Sequence, residues 1–598
     1  MLMNRILYIS IFIISLCTIG LYGQGTLYPL GSDAYHIYDR MEAKFGIPNM
    51  MHSSLKYYQR KDVVSFASYL YDNEDLSSLD KKDLLYLFRD SNDWFNEKDS
   101  ISEDYNTYDK IFHSEYEQFY SIKDNGIQNF NSNKYIESKK SLLGHFYKTP
   151  ANFYEYNHKD FYIKANPILN FQVGNSNAEE GLILLNQRGF ELRGAIDQKI
   201  YFYSSFVESQ GRFPDFVNQR IDSTLALPGA GFLKDFASSL FNFTGGYDYN
   251  LAQGYLGFNI SKHVGIQLGH GRHFIGNGIR SLIISDFSKD YFYLKLNTRV
   301  GKFHYQNIFA ELSAKSNIGL GGATLLPQKY IAAHHLSLNI GKRLNIGIFE
   351  SVVFSRANNF EFQYLNPIIF YRTVEQGLGS PDNVLVGLDL KFNPVRNVSL
   401  YSQLIFDELL VKELFVERRG FWGNKFGIQV GAKVFDILGI DHLDGQVEVN
   451  LVRPYTYSHF DSTSTYSNFN QPLAHPLGAN FDELIIKLRY QPIQKLVFEG
   501  RLLLYQQGED QDGISYGANI LISNNNRLSD FGNELKQGAL SKVSIFNFDI
   551  SYQISHNVYF DLQYYSRNKE NVKPARNLDS NFIQAGLRIN IGKYRYDY

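Results

Sequence analysis

YFYLKLNTRV, residues 291–300, changes character at every step. Phe292, Leu294, Leu296, Thr298 and Val300 fall on one face of an extended chain, and Tyr291, Tyr293, Lys295, Asn297 and Arg299 on the other. A period of two belongs to a strand with an apolar medium on one side and a polar one on the other. The pattern recurs. Leu256, Phe258, Ile260, Val264, Ile266 and Leu268 share a face in 255–268, Leu336, Leu338 and Ile340 in 335–341, and Phe548, Ile550, Tyr552 and Ile554 in 546–554. In 583–591 the apolar set is Leu587, Ile589 and Ile591.

A soluble sandwich or solenoid buries such a face in a core, whereas a transmembrane barrel turns it to lipid and its polar face to a wet lumen. Three features favour the barrel. The polar faces carry Lys, Arg, Asp and Gln. Aromatic clusters at strand ends, Tyr201-Phe202-Tyr203, Tyr291-Phe292-Tyr293 and Tyr564-Tyr565, suit interfacial girdles. A last alternating strand at 582–591, followed by aromatic residues, suits closure against the first. With about ten residues per crossing, 158–598 holds about 16–18 antiparallel strands. The expected fold is an all-β transmembrane β-barrel preceded by a mostly α-helical segment.

Composition agrees. The 598 residues are 16% aromatic, with 44 Tyr, 47 Phe, 47 Gly and only 15 Pro, which suits strands and turns. A formal net charge of −2 excludes a global basic field for nucleic acid. Residues 1–23 read as an export signal: Arg5, an apolar core at 6–19 too short to span a bilayer, and cleavage after Gly23. The single cysteine, Cys17, lies inside it, so the mature chain has no disulfide, zinc–thiolate site or thiol nucleophile. No later run of 18 apolar residues occurs. Export without a spanning helix fits the outer membrane of a diderm bacterium. Residues 24–157 read as a mostly helical periplasmic or plugging segment, with helices over 33–45 and 61–71 and a third capped by Ser78.

Four glycines crowd GHGRHFIGNGIRSLIISD, residues 269–286. Phosphate motifs do not fit. Asn277-Gly278 follows Gly276 where a Walker loop needs Lys and Ser/Thr, and Phe274 occupies the third glycine position of a dinucleotide turn. The alternatives are a bend whose glycines relieve crowding inside the barrel, or a constriction where Arg272, His273 and Arg280 meet an anionic ligand.

The run G-R-H-F-x-G-x-G-I-R-S-L-I-I-S-D at 271–286 resembles a signature of the Wzi capsule-assembly family, including its RemB-type gliding-motility branch. Tyr364-Leu365-Asn366-Pro367, Phe370-Tyr371-Arg372, Asp382-Asn383, Phe406-Asp407-Glu408, Arg453-Pro454-Tyr455-Thr456-Tyr457-Ser458-His459 and His475-Pro476-Leu477-Gly478-Ala479-Asn480 agree in order. The resemblance implies a non-enzymatic outer-membrane barrel with a helical periplasmic part. Its expected role is binding or organising surface polysaccharide in capsule assembly or attachment, or serving gliding motility and adhesion at the cell surface. The partners implied are membrane lipid, surface or capsular polysaccharide and other envelope or motility proteins. A passive or substrate-specific pore is the alternative.

No metal or cofactor motif appears. The histidines form no H-E-x-x-H, and no G-x-S-x-G elbow occurs. Arg453, Tyr455, Tyr457 and His459 alternate as a platform for sugars would. Glu350, Arg356, Arg372, Glu375, Asp382 and Asp407 read as a charge network lining the lumen. The ligand-binding candidates are therefore Arg272, Arg280, Arg356, Arg372, Glu375, Arg453, Tyr455, Tyr457 and His475.

Overall fold

The computed structural model describes residues 25–49, 51–94, 144–158, 160–177, 181–197, 199–239, 243–316, 325–356, 359–380 and 382–598. The export-signal reading of 1–23 lies outside the described residues, as does most of the polar stretch after the third helix.

Eighteen strands, from Phe161–Ser176 to Leu578–Ile589, pair antiparallel in chain order. The last pairs with the first, Leu169 opposite Ile589 and Ser176 opposite Phe582, which closes the sheet and removes its edges. Short strands Tyr154–His158 and Leu233–Ser238 add locally to the rim. In Tyr291–Val300 the expected alternation holds: Phe292 and Val300 are exposed outside, while Lys295 and Asn297 are buried inside. Leu388, Val430, Val449, Leu488, Phe560 and Ile583 continue the exposed apolar outer face. Lipid removes its solvation penalty; water would not.

Two expectations need correction. Residues 255–268 are a hairpin, Phe243–Asn259 and Val264–Gly271, rather than one strand. The aromatic clusters are also not simple girdles. Strand parity sends Tyr201, Tyr291 and Tyr293 into the lumen and leaves Phe292 outside.

Connections are short at one end, as at 301–302 and 494–495, and long at the other, as at 213–242, 453–480 and 510–538. Short turns mark the periplasmic end. There sit α1 (Ala34–Phe45), α2 (Arg60–Asn73) and α3 (Ser78–Asp90). The α3 cap is Ser77, one residue before the expected Ser78; its hydroxyl accepts from Asp80 N at 3.1 Å. Tyr38, Met41, Val63, Phe66, Leu70, Leu84 and Leu87 form the bundle's own small core. The bundle then reaches inward. Ile47 N donates to Lys342 O at 2.8 Å, and His52 Nδ1 lies 2.7 Å from Ser337 Oγ on the inner wall. The bundle, called the plug below, thus packs against the inner wall instead of standing free of the barrel. No helix among the described residues is long and apolar enough to cross a membrane.

The outer end is filled by infolded chain. Helix α4 (Asp215–Thr224) buries Phe216, Val217 and Ile221. Phe216 stacks on Tyr565 at 5.6 Å. After the last strand the tail turns into the lumen, where Tyr596 and Tyr598 join the same apolar core. The expected closing aromatics thus serve the interior.

Candidate binding cavity in the lumen

The glycine-rich connection between Val264–Gly271 and Tyr291–Val300 folds deep into the barrel. Leu282, Ile283 and Ile284 are buried in the central core. Ile275 N donates to Ile284 O at 2.9 Å, so the segment forms its own narrow loop instead of extending the wall. Wall and neighbouring loops satisfy its backbone: Gln403 Nε2 donates to Ile275 O at 2.9 Å, and Tyr457 Oη to Leu282 O at 2.7 Å. Its tip meets the plug. Gly276 N donates to Ser54 O at 2.7 Å, and Lys56 N to Phe274 O at 3.2 Å.

The glycines have a definite use. A Cβ on Gly278 would lie 2.5 Å from Glu448 Oε2 and 2.8 Å from Gln429 Oε1. The bare backbone lets Ile279 N and Arg280 N donate to the Glu448 carboxylate at 2.6 and 3.0 Å. The anion held by this loop is the protein's own side chain. The two candidate arginines are paired as well. Arg272 Nε meets Asp290 at 2.8 Å, and Arg280 Nη2 meets Glu483 at 3.2 Å.

Between plug, loop and wall remains a cavity of about 480 Å³. Both arginines line it, together with two cations that sequence reasoning missed, Lys487 and Arg489 on the strand Phe481–Ile493. Among the described residues Lys487 has no hydrogen bond and no carboxylate within 4 Å; Arg489 donates to Gln491 Oε1 at 2.9 Å and stands, by register, between Asp444 and Glu499 of the neighbouring strands. The largest charges acting on Lys487 are one carboxylate, Glu499, and three cations, Arg501, Lys433 and Arg595. Lys433 itself is taken by Asp39 of the plug, and Arg501 by Glu499 and Asp597. An uncompensated cation away from bulk water favours an anion beside it. The signal was present as K-x-R at one strand parity, but the surrounding charges come from distant parts of the chain.

The plug is clamped to the wall beside this cavity. Arg40 is fully buried and reaches Asp80 at 3.0 Å, Asp444 at 2.7 Å and Asp441 at 3.0 Å, as well as Asp436. Lys391 pairs with Glu42. Burial alone would raise the Asp80 carboxyl; Arg40 and Lys44 hold it below the usual range. Burial, aided by Arg489, brings His36 down to about 4, leaving it neutral at 2.9 Å from Asp444. Asp80, Asp441 and His442 stand close enough to ligate a metal ion, but Arg40 already donates to both aspartates.

The remaining candidates lie elsewhere. Residues 453–459 are not a strand: Tyr455 and Tyr457 have φ of 65° and 72° and both rings are buried. Tyr455 Oη donates to Ser515 O at 2.9 Å, and Arg453 Nε to Asn424 O at 2.9 Å. His475 Nε2 lies 2.8 Å from Glu483. These groups brace the infolded loops and offer no aromatic platform. The supposed lumen network divides. Asp407 faces inward to Lys425 at 2.9 Å. Glu350 points out of the barrel by strand parity, and Arg356, Arg372, Glu375 and Asp382 belong to a segment lying against that outer wall. Arg356 clamps Asp382 at 2.6 Å, and Arg372 pairs with Glu375 one helical turn on.

No known family model and no curated protein matches this chain. Among solved structures it is similar to Wzi of Escherichia coli, described as a carbohydrate-binding β-barrel involved in group 1 capsule assembly. Identity is 14%, the match covers 89% of this chain and 98% of that one, and the TM-score is 0.46. It is also similar to OprD of Pseudomonas aeruginosa, at 10% identity over 71% of this chain and 94% of that one, with a TM-score of 0.37. For OccAB2 of Acinetobacter baumannii the figures are 9%, 71%, 97% and 0.40. Likeness at this level assigns no function.

Proposed function

We propose that this chain is a plugged outer-membrane barrel that binds surface polysaccharide without catalysis, and that anionic groups of the polysaccharide enter the lumenal cavity. The observation that carries the reading is the meeting of plug and glycine loop, backbone to backbone, inside the lumen. A barrel built to conduct keeps that space open. What remains is a polar chamber lined by Lys487, which has no carboxylate within 4 Å, and by Arg489, suited to a carboxylate or phosphate on a sugar chain. The motif resemblance at 271–286 supports a polysaccharide ligand, used in capsule attachment or in gliding and adhesion.

The test is binding of acidic and neutral polysaccharides, prepared from the producing cell's own surface, to the purified full-length protein in detergent. Lys487→Gln and Arg489→Gln serve as probes. The acidic fraction should bind, and each variant should weaken it. Binding by neither fraction removes this role. A deletion strain that keeps its capsule but stops spreading on agar assigns the gliding branch; the reverse assigns capsule attachment.

A further inference from the structure

Outside the barrel, residues 359–380 fold down over the wall formed by Phe303–Ser313, Gln328–Ile340 and Leu344–Phe354 instead of standing above the rim. Tyr364, Tyr371 and Val374 of this flap pack on outward-facing Phe309, Tyr330, Ala332, Val352 and Phe354. Phe360 meets Tyr330 and Phe354 edge to face, with ring centroids 5.3 and 5.2 Å apart.

Beneath the flap the wall carries polar groups where lipid would otherwise lie. Register aligns Asn307, His334 and Glu350 in one outward row. Each is used by the flap or by its neighbour. Asn307 Nδ2 donates to Pro367 O at 2.9 Å, and His334 lies 3.0 Å from Glu350. Glu350 accepts Tyr371 N and Arg372 N at 3.0 and 3.1 Å, capping the start of α5 (Tyr371–Leu378). A carboxylate facing hydrocarbon is costly, so this wall is built to be covered.

Height decides what lies beyond the flap. Below it, Gln328–Ile340 leaves only Leu336, Leu338 and Ile340 facing out, and Leu344–Phe354 only Leu344, Ile346 and Ile348. Five residues extend about 17 Å along a strand, less along the normal of a tilted barrel, against an apolar band of about 25 Å. The wall below the flap is too short to supply the band, so the flap lies within its upper part. The flap's outer side presents large apolar side chains, Phe362, Ile368 and Phe370, 78%, 80% and 69% exposed, with the polar Gln363, Asn366 and Arg372 between and beside them. Ile348 and Val386 on the wall beside Glu350 are exposed apolar residues as well.

We infer that the flap completes the lipid-facing surface of this sector, with Phe362, Ile368 and Phe370 seated among acyl chains of the outer leaflet. Spin labels test this. In a Cys17→Ser background of the full chain reconstituted in phosphatidylcholine vesicles, Ile368→Cys and Phe370→Cys carry nitroxides. Ile348→Cys on the wall and Leu438→Cys in a periplasmic turn are the references. Heat-dependent gel mobility confirms that each variant is folded. The flap labels should show the oxygen-over-nickel-chelate accessibility of the Ile348 site, well above that of the Leu438 site. A ratio matching the Leu438 site places the flap in water and overturns the inference. Low access to both reagents, as under a second copy or another protein, overturns it equally.

Discussion

Arg40 and Glu350 are both charged groups buried against the barrel wall, one inside and one outside. Arg40 stands in the plug among Asp80, Asp436, Asp441 and Asp444, where charge is matched by charge. Glu350 stands on the lipid side, where its counterparts are His334 and two backbone N–H groups of the flap. The lumen tolerates a dense ionic lattice because residual water and many partners share the cost. On the outer wall the buried carboxylate of Glu350 is hidden under a dedicated cover. The lesson is that strand parity states which way a side chain points, while the covering segment determines the medium it meets.

Breaking the inner side should give the largest effect. Arg40→Ala leaves several buried carboxylates without their cation, a loss of about 3–5 kcal/mol. The thermal transition should fall and protease should cut 34–90, while the flap stays protected. Breaking the outer side with Glu350→Ala strips the cap from α5 and leaves two donors unmet, for about 1–3 kcal/mol. Limited proteolysis should then move to Arg372, with the plug intact. If either variant loosens both regions together, the two are one cooperative unit and the contrast fails.

Gly278→Ala sharpens the inner half alone. Its methyl group would press on the Glu448 carboxylate, and overpacking of this kind costs about 1–3 kcal/mol. Ser54, at the loop–plug contact, should exchange its environment without change at the flap, as followed by a label there. A further effect concerns pH. His36 is held at about 4 in the folded protein against about 6.5 unfolded, so its contribution is present above about 6.5 and lost as pH falls toward about 4. His442 runs oppositely: burial pulls it down, but Asp83 and Asp441 raise it overall, so its contribution fades as pH rises through that raised value. Melting curves of His36→Asn should therefore lose less stability between pH 6.5 and 4 than the parent chain does. Equal losses would remove His36 from the clamp.

Much of the architecture was legible because a period of two survives any loop. Residues 291–300 alone showed which side chains enter the lumen, and the strand number fell at the upper end of the expected range. The three plug helices were readable within a residue or two from their apolar spacing. The site was less legible. Tyr455 and Tyr457 alternate in sequence but sit at positive φ in a turn, so spacing implied a face that does not exist. Arg356, Arg372 and Glu375 looked lumenal because nothing local tells a flap outside from a loop inside. Lys487 and Arg489 drew no attention because what surrounds them is a property of the assembled cavity.

The central claim is that plug and glycine loop close this barrel. Single-channel recording of the purified full-length protein in planar bilayers tests it most directly. The account predicts no steady conductance for the parent chain and transient openings for Arg40→Ala. A large, stable conductance in the parent chain would contradict it and restore the pore.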